Sequence, residues 1–128
     1  MIRQVFYVEH HWKVIIYYNV DGDFLFPVFK ELESIGYSPN IIRRVIRQLI
    51  RGKVKGVTCS NGAMHISIVL FAMHDDIYDY INSLVHEAEH IKQAMLRTYY
   101  IRDEGEPPAY TVGYLVQRMW EVFGRFLY

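Results

Sequence analysis

Val54-Lys55-Gly56-Val57-Thr58-Cys59-Ser60-Asn61-Gly62-Ala63-Met64-His65-Ile66-Ser67-Ile68-Val69-Leu70-Phe71-Ala72-Met73 is the stretch on which the architecture turns. Its two arms are rich in β-branched and aromatic residues, which suit a pleated, half-buried surface. Asn61-Gly62 between them is a dipeptide that tight turns favour, because both residues tolerate positive φ. The spacing predicts a β-hairpin with strands Val54–Ser60 and Met64–Met73. A second hairpin is predicted upstream, from strands over residues 4–8 and 12–20, the latter carrying Trp12-Lys13-Val14-Ile15-Ile16-Tyr17-Tyr18.

Helical signals follow each hairpin. After the first, Asp21-Gly22-Asp23 reads as a turn, Asp23 can cap a helix to about Ile35, and Gly36 ends it. Ser38-Pro39 then supplies a capping oxygen and a proline at the first helical position. The helix it opens, from Asn40 to about Gly52, sets Ile41, Ile42, Val45, Ile46, Leu49 and Ile50 at helical spacing. After the second hairpin, Asp75 or Asp76 caps a helix reaching roughly Arg97. Arg102-Asp103-Glu104-Gly105 is a polar break, and Pro107-Pro108 opens a last helix to about Phe126. The expected class is α+β: a small, largely antiparallel sheet packed with helices, in the order ββαα-ββαα, as one domain over residues 1–128. No sequence repeat links the two halves.

Composition narrows the function classes. The 128 residues are 52% hydrophobic and 22% charged, which excludes a disordered chain and suffices for one buried core. Fourteen Lys and Arg balance fourteen Asp and Glu, so a global basic field for nucleic acid is excluded. Cys59 is the single cysteine, so no internal disulfide forms, and its place on a strand suits a small buried hydrophobe. No apolar run approaches the roughly 18 residues of a membrane span, and Met1-Ile2-Arg3-Gln4-Val5 lacks a secretion signal's apolar core. The expectation is a soluble, cytoplasmic protein without a membrane partner.

Residues 86–90 read His86-Glu87-Ala88-Glu89-His90, the pattern H-E-x-x-H. On a helix, residues i and i+4 lie one turn apart on one face, so two imidazoles can meet one zinc ion. The intervening glutamate is placed to take a proton from a metal-bound water, whose pKa zinc lowers from about 15.7 to about 7. The core stripe of this helix is Ile77, Ile81, Leu84, Ala88, Ile91 and Met95. At about 100° per residue, both histidines fall on nearly the opposite side. A catalytic zinc needs a third protein ligand. Glu106 is the candidate, at the start of a last helix that returns antiparallel, with Glu104 and Asp103 as rivals. The small residues Ala109 and Gly113 share the Glu106 face with Gln117 and suggest close helix approach there.

The segments His86-Glu87-Ala88-Glu89-His90 and Glu106-Pro107-Pro108-Ala109-Tyr110 together resemble the zincin metallopeptidases of the gluzincin type. They are similar to its small forms, in which the third ligand opens a helix in an E-x-x-A-[aromatic] context. These include phage-borne members and the metallopeptidase domains of the ImmA/IrrE type. The resemblance covers about residues 64–117. It implies a zincin-like fold, with His86, His90 and Glu106 as Zn2+ ligands and Glu87 as general base. It also implies a peptide or protein substrate on an edge strand ahead of the active-site helix, the place that Met64–Met73 takes here. The function expected is therefore a zinc-dependent metallopeptidase. The alternative is a catalytically inactive zincin-like interaction or regulatory module, of phage or mobile-element association.

An oxyanion donor is also needed. Tyr110, one turn beyond Glu106, is the candidate, with Tyr114, His65 and His74 as alternatives. Arg43, Arg44, Arg47, Arg51, Lys53 and Lys55 form a basic run that is expected to be a solvated helix face, with nucleic acid not expected as a partner; the alternative is a local phosphate-contacting patch that binds nucleic acid. His10-His11 is expected in a surface turn. The last helix is apolar nearly all round (Val112, Leu115, Val116, Met119, Trp120, Val122, Phe123, Phe126), so a second face is free to meet another subunit in a homodimer.

Overall fold

Each run of β-branched and aromatic residues forms a strand, and each capped amphipathic stretch forms a helix. The computed structural model describes residues 1–9, 11–22, 25–123 and 125. Its elements run β1 (Ile2–Val8), β2 (Trp12–Val20), α1 (Leu25–Ser34), α2 (Pro39–Ile50), β3 (Gly56–Asn61), β4 (Ile66–Ala72), α3 (Ile77–Thr98) and α4 (Glu106–Phe123). This is the expected α+β order, ββαα-ββαα. The Asp23 cap, His10 and Phe126 lie outside the described residues; His11 is exposed and donates its backbone N–H to the Val8 carbonyl at 3.0 Å.

The four strands make one sheet in the order β1-β2-β4-β3. The two hairpins are antiparallel, and the central pair, β2 and β4, is parallel. The long connection through α1, α2 and β3 makes that parallel pairing possible, since parallel neighbours cannot be joined by a tight turn. From either edge the first strand of a hairpin is followed by its second, and the helical pair after each hairpin covers a different face. On one face Val14, Ile16, Tyr18 and Phe71 meet Leu84, Ala88, Ile91, Leu115 and Met119 of α3 and α4. On the other, Ile15, Tyr17, Ile68 and Leu70 meet Val28, Leu32, Ile42, Ile46 and Leu49 of α1 and α2. With helices on both sides, β4 is buried at every position, which explains an apolar run that only Ser67, bonded to Trp12 and Ser60, interrupts.

Local chemistry sets the element ends. Ser38 caps α2, its hydroxyl accepting from the Ile41 N–H at 3.3 Å, with Pro39 in the first turn. Asp76 caps α3, accepting from the Tyr78 N–H at 2.7 Å. Gly36, at φ +99°, ends the α1 segment in a conformation that costs glycine least. The β3–β4 turn is wider than its Asn-Gly pair suggests and spans residues 62–65. Asn61 ends β3 and spans the turn with its side chain, accepting from Met64 N–H at 3.2 Å and donating to the Ile35 carbonyl at 2.8 Å.

Three sequence expectations are corrected. The segment 64–73 is no edge: its strand, β4, is interior, and β1 and β3 form the two edges. In α3, Ile77 and Ile81 are 39% and 36% exposed, because the helix turns Tyr80 inward, against Phe71 and His74 at 5.8 and 4.3 Å between ring centroids. In α4, Ala109, Gly113 and Gln117 face solvent, and Pro108, Leu115, Met119 and Val122 are buried. A Cβ added at Gly113 would meet nothing within 4 Å, so no close helix approach occurs there. Among the described residues, no helix is long and apolar enough to cross a membrane.

Candidate metal centre

The 22 residues of α3 turn Leu84, Ala88, Ile91 and Met95 into the core and leave the opposite face to water. His86 and His90 stand on that outer face. Their Nε2 atoms are 3.1 Å apart, with ring planes at 82°. Two imidazole nitrogens each about 2.0–2.1 Å from one ion lie roughly 3.1–3.4 Å apart at near-tetrahedral angles. The pair therefore fits two positions of a metal's coordination shell. Without metal, the same distance suits one imidazole N–H donating to the other ring's lone pair.

Glu87 points elsewhere. One residue on, about 100° round the helix, it turns beneath α3 onto β3 and is only 3% exposed. The Thr58 hydroxyl donates to its Oε1 at 2.9 Å. Gly56 makes the room: a Cβ there would sit 3.1 Å from Glu87 Cγ and 3.2 Å from Oε2. The strand thus lacks a side chain where the carboxylate lies against it.

Two of the candidate third ligands, Asp103 and Glu104, have ion-pair partners of their own. Lys92, its stem buried, bridges Glu89 at 2.7 Å and Asp103 at 2.9 Å. Burial disfavours its charge, but the two carboxylates prevail and hold its pKa above the ordinary lysine range. Asp103 is thereby committed to tying α3 to the loop before α4. Glu104 stands 3.8 Å from Arg102 on the exposed loop. Glu106 is exposed in the first turn of α4. That turn faces the last turn of α3 across a groove of about 350 Å³ lined by Met95, Leu96, Tyr99, Pro107, Pro108 and Tyr110. Thr98 ends α3 eight residues beyond His90, about 12 Å along the axis at 1.5 Å per residue. Among the described residues, no group of three or more His, Cys, Asp or Glu is placed to hold a metal ion.

Tyr110 is 72% exposed and borders a second groove with Tyr7 and Tyr114, whose hydroxyl donates to the Tyr7 carbonyl at 3.3 Å. Tyr110 thus lines both this groove and the one between α3 and α4. His65 stacks on Trp12 at 5.6 Å. His74 bonds the Ala72 carbonyl through Nδ1 at 2.8 Å and Ser83 Oγ through Nε2 at 3.0 Å. Burial holds its pKa below the ordinary imidazole value, although the Ala72 bond pulls the other way. Cys59 is buried, and its thiol is pushed up to about 11, first by burial and then by the Glu87 charge. Thr58 and Gly56, the two partners of Glu87, were not singled out from the sequence. The only signal was a glycine inside a strand, which marks a close approach to the backbone.

The structure brings His86 and His90 together and turns Glu87 toward Thr58 instead. No family model, no curated protein and no solved structure matches the chain.

Proposed function

We propose that this chain is a metal-binding, non-hydrolytic α+β module in which His86 and His90 clamp a divalent transition metal on the outer face of α3. The observation that carries this reading is the 3.1 Å approach of the two Nε2 atoms on an exposed helix face. Imidazole pairs of this kind suit zinc, nickel and copper. In this reading Glu87 is a structural residue, consistent with its burial and its bond to Thr58. A single, buried cysteine suits the reducing cytoplasm as its compartment.

The zinc peptidase expected from the motif is the second reading, favoured by the H-E-x-x-H spacing and by the edge strand β3 lying beside Glu87. An edge strand can take an extended peptide by main-chain pairing. That reading requires Glu87 to leave Thr58 and a third donor to join the histidines. The experiment is to incubate untagged, zinc-loaded protein with a peptide library, beside Glu87→Gln. The proposal expects no cleavage by either protein and unchanged zinc uptake by the variant. Cleavage by the native protein that Glu87→Gln abolishes would replace the proposal with the peptidase.

A further inference from the structure

We propose that α2 carries a phosphate-binding ridge for single-stranded nucleic acid, built by Arg43, Arg47 and Arg51 beside an apolar groove. The three arginines recur at i, i+4 and i+8, so they line one side of the helix at roughly one turn, about 5–6 Å, apart. All three are exposed. They border a groove of about 330 Å³ whose floor is Leu25, Ile46 and Ile50.

The charge pattern separates this face from an ordinary solvated helix. Residues 34–74 hold six bases, Arg43, Arg44, Arg47, Arg51, Lys53 and Lys55, and no acid. Each other helix carries an opposite-charge pair at i, i+3: Lys30–Glu33, Glu89–Lys92 and Arg118–Glu121. Among the described residues no ion pair involves α2; Arg43 makes one hydrogen bond, to Asn40 Oδ1 at 2.8 Å. Like charges one turn apart destabilise a helix, and a single acid would relieve them. The sequence keeps the repulsion instead, as an anion site requires. Residues 75–106, on the other face of the sheet, carry eight acids against three bases. A chain of zero net charge thus has one attractive side for a polyanion.

The groove floor favours a single strand over a duplex. Guanidinium groups engage phosphate oxygens bidentately, while unpaired bases offer apolar faces to Leu25, Ile46 and Ile50. A duplex keeps those faces stacked inside.

The test is fluorescence anisotropy of the untagged full chain with a labelled single strand of about 20 nucleotides. Three phosphate contacts predict an affinity loss of about 20-fold between 50 and 200 mM salt, from a slope of about −0.7 per contact. The variant Arg43→Gln/Arg47→Gln/Arg51→Gln should lose nearly all of that salt-dependent binding, with circular dichroism as a check on folding. Should it fail to fold, Arg47→Gln alone should lower the slope by about 0.7. Arg102→Gln, on the α3–α4 loop, should bind as the native chain does. The proposal is overturned by undetectable or salt-insensitive binding, by equal loss in Arg102→Gln, or by full affinity in the arginine variants. Equal affinity for a duplex, or binding only to phosphatidylserine vesicles, overturns it as well.

Discussion

Replacing Thr58 by valine removes one hydroxyl and leaves the branched shape of the side chain in place. The hydroxyl donates to Glu87 Oε1 at 2.9 Å, and Glu87 is 3% exposed. A hydrogen bond to a charged group contributes roughly 1.5–3 kcal/mol, and a buried acceptor left unpaired loses most of that. The added methyl returns a fraction by burial, so Thr58→Val should cost about 2 kcal/mol. For a chain of this size each kcal/mol shifts Tm by about 3–5 °C, which predicts a fall of roughly 6–10 °C. Thermal melts followed by circular dichroism give the number, and urea titration at constant slope confirms it. The double variant with Glu87→Gln should show a coupling of about 1 kcal/mol or more. A Tm within about 2 °C of the native value would refute a structural role for the Glu87 contact. So would a stability left intact while peptide cleavage rises, since releasing a catalytic carboxylate should do that.

Three further predictions follow from particular side chains. Gly113→Ala, at an exposed helical site where a Cβ meets nothing, should raise stability by about 0.5–1 kcal/mol; a loss in urea titration would mean that α4 is closely packed there. His74 is held below the ordinary imidazole value by burial, so the unfolded chain binds its proton more readily. Its contribution is full above the unfolded pKa of about 6.5 and is lost as pH falls through the folded value. Urea midpoints should therefore drop from about pH 7.5 to 5.5, and His74→Gln should flatten that drop; an unchanged pH dependence in the variant speaks against it. Cys59, at about 11, should resist thiol reagents at about pH 8 until the protein is denatured. Rapid labelling of the native chain would contradict its burial.

Much of the fold was legible because its signals are local. Ser38-Pro39, Gly36, Asp76 and Asn61 each act through their own backbone neighbourhood, and each sits at an element end. The ββαα-ββαα order followed from them. The strand order was not legible. Whether β4 lies inside and β3 at the edge depends on the parallel β2–β4 pairing, between segments far apart in sequence. The candidate site divides in the same way. That His86 and His90 share the outer face of α3 is helix geometry, available from spacing alone. Where Glu87 points depends on Gly56 and Thr58 of another element. Where Glu106 stands depends on the length of the α3–α4 loop and on Lys92 gripping Asp103. A motif written along one helix constrains that helix and leaves the second element's contribution open.

Metal binding by this chain requires two imidazoles to share one ion. The most direct measurement is a calorimetric titration of zinc into untagged, metal-free protein at neutral pH, beside His86→Ala, His90→Ala and Glu106→Gln. The native chain should take up a single ion and gain about 2.7 kcal/mol of stability at a hundredfold excess over Kd. Either histidine variant should lose that uptake, and Glu106→Gln should retain it. A native chain that takes up no zinc, or a His90→Ala chain that binds it as tightly as the native one, would contradict the clamp.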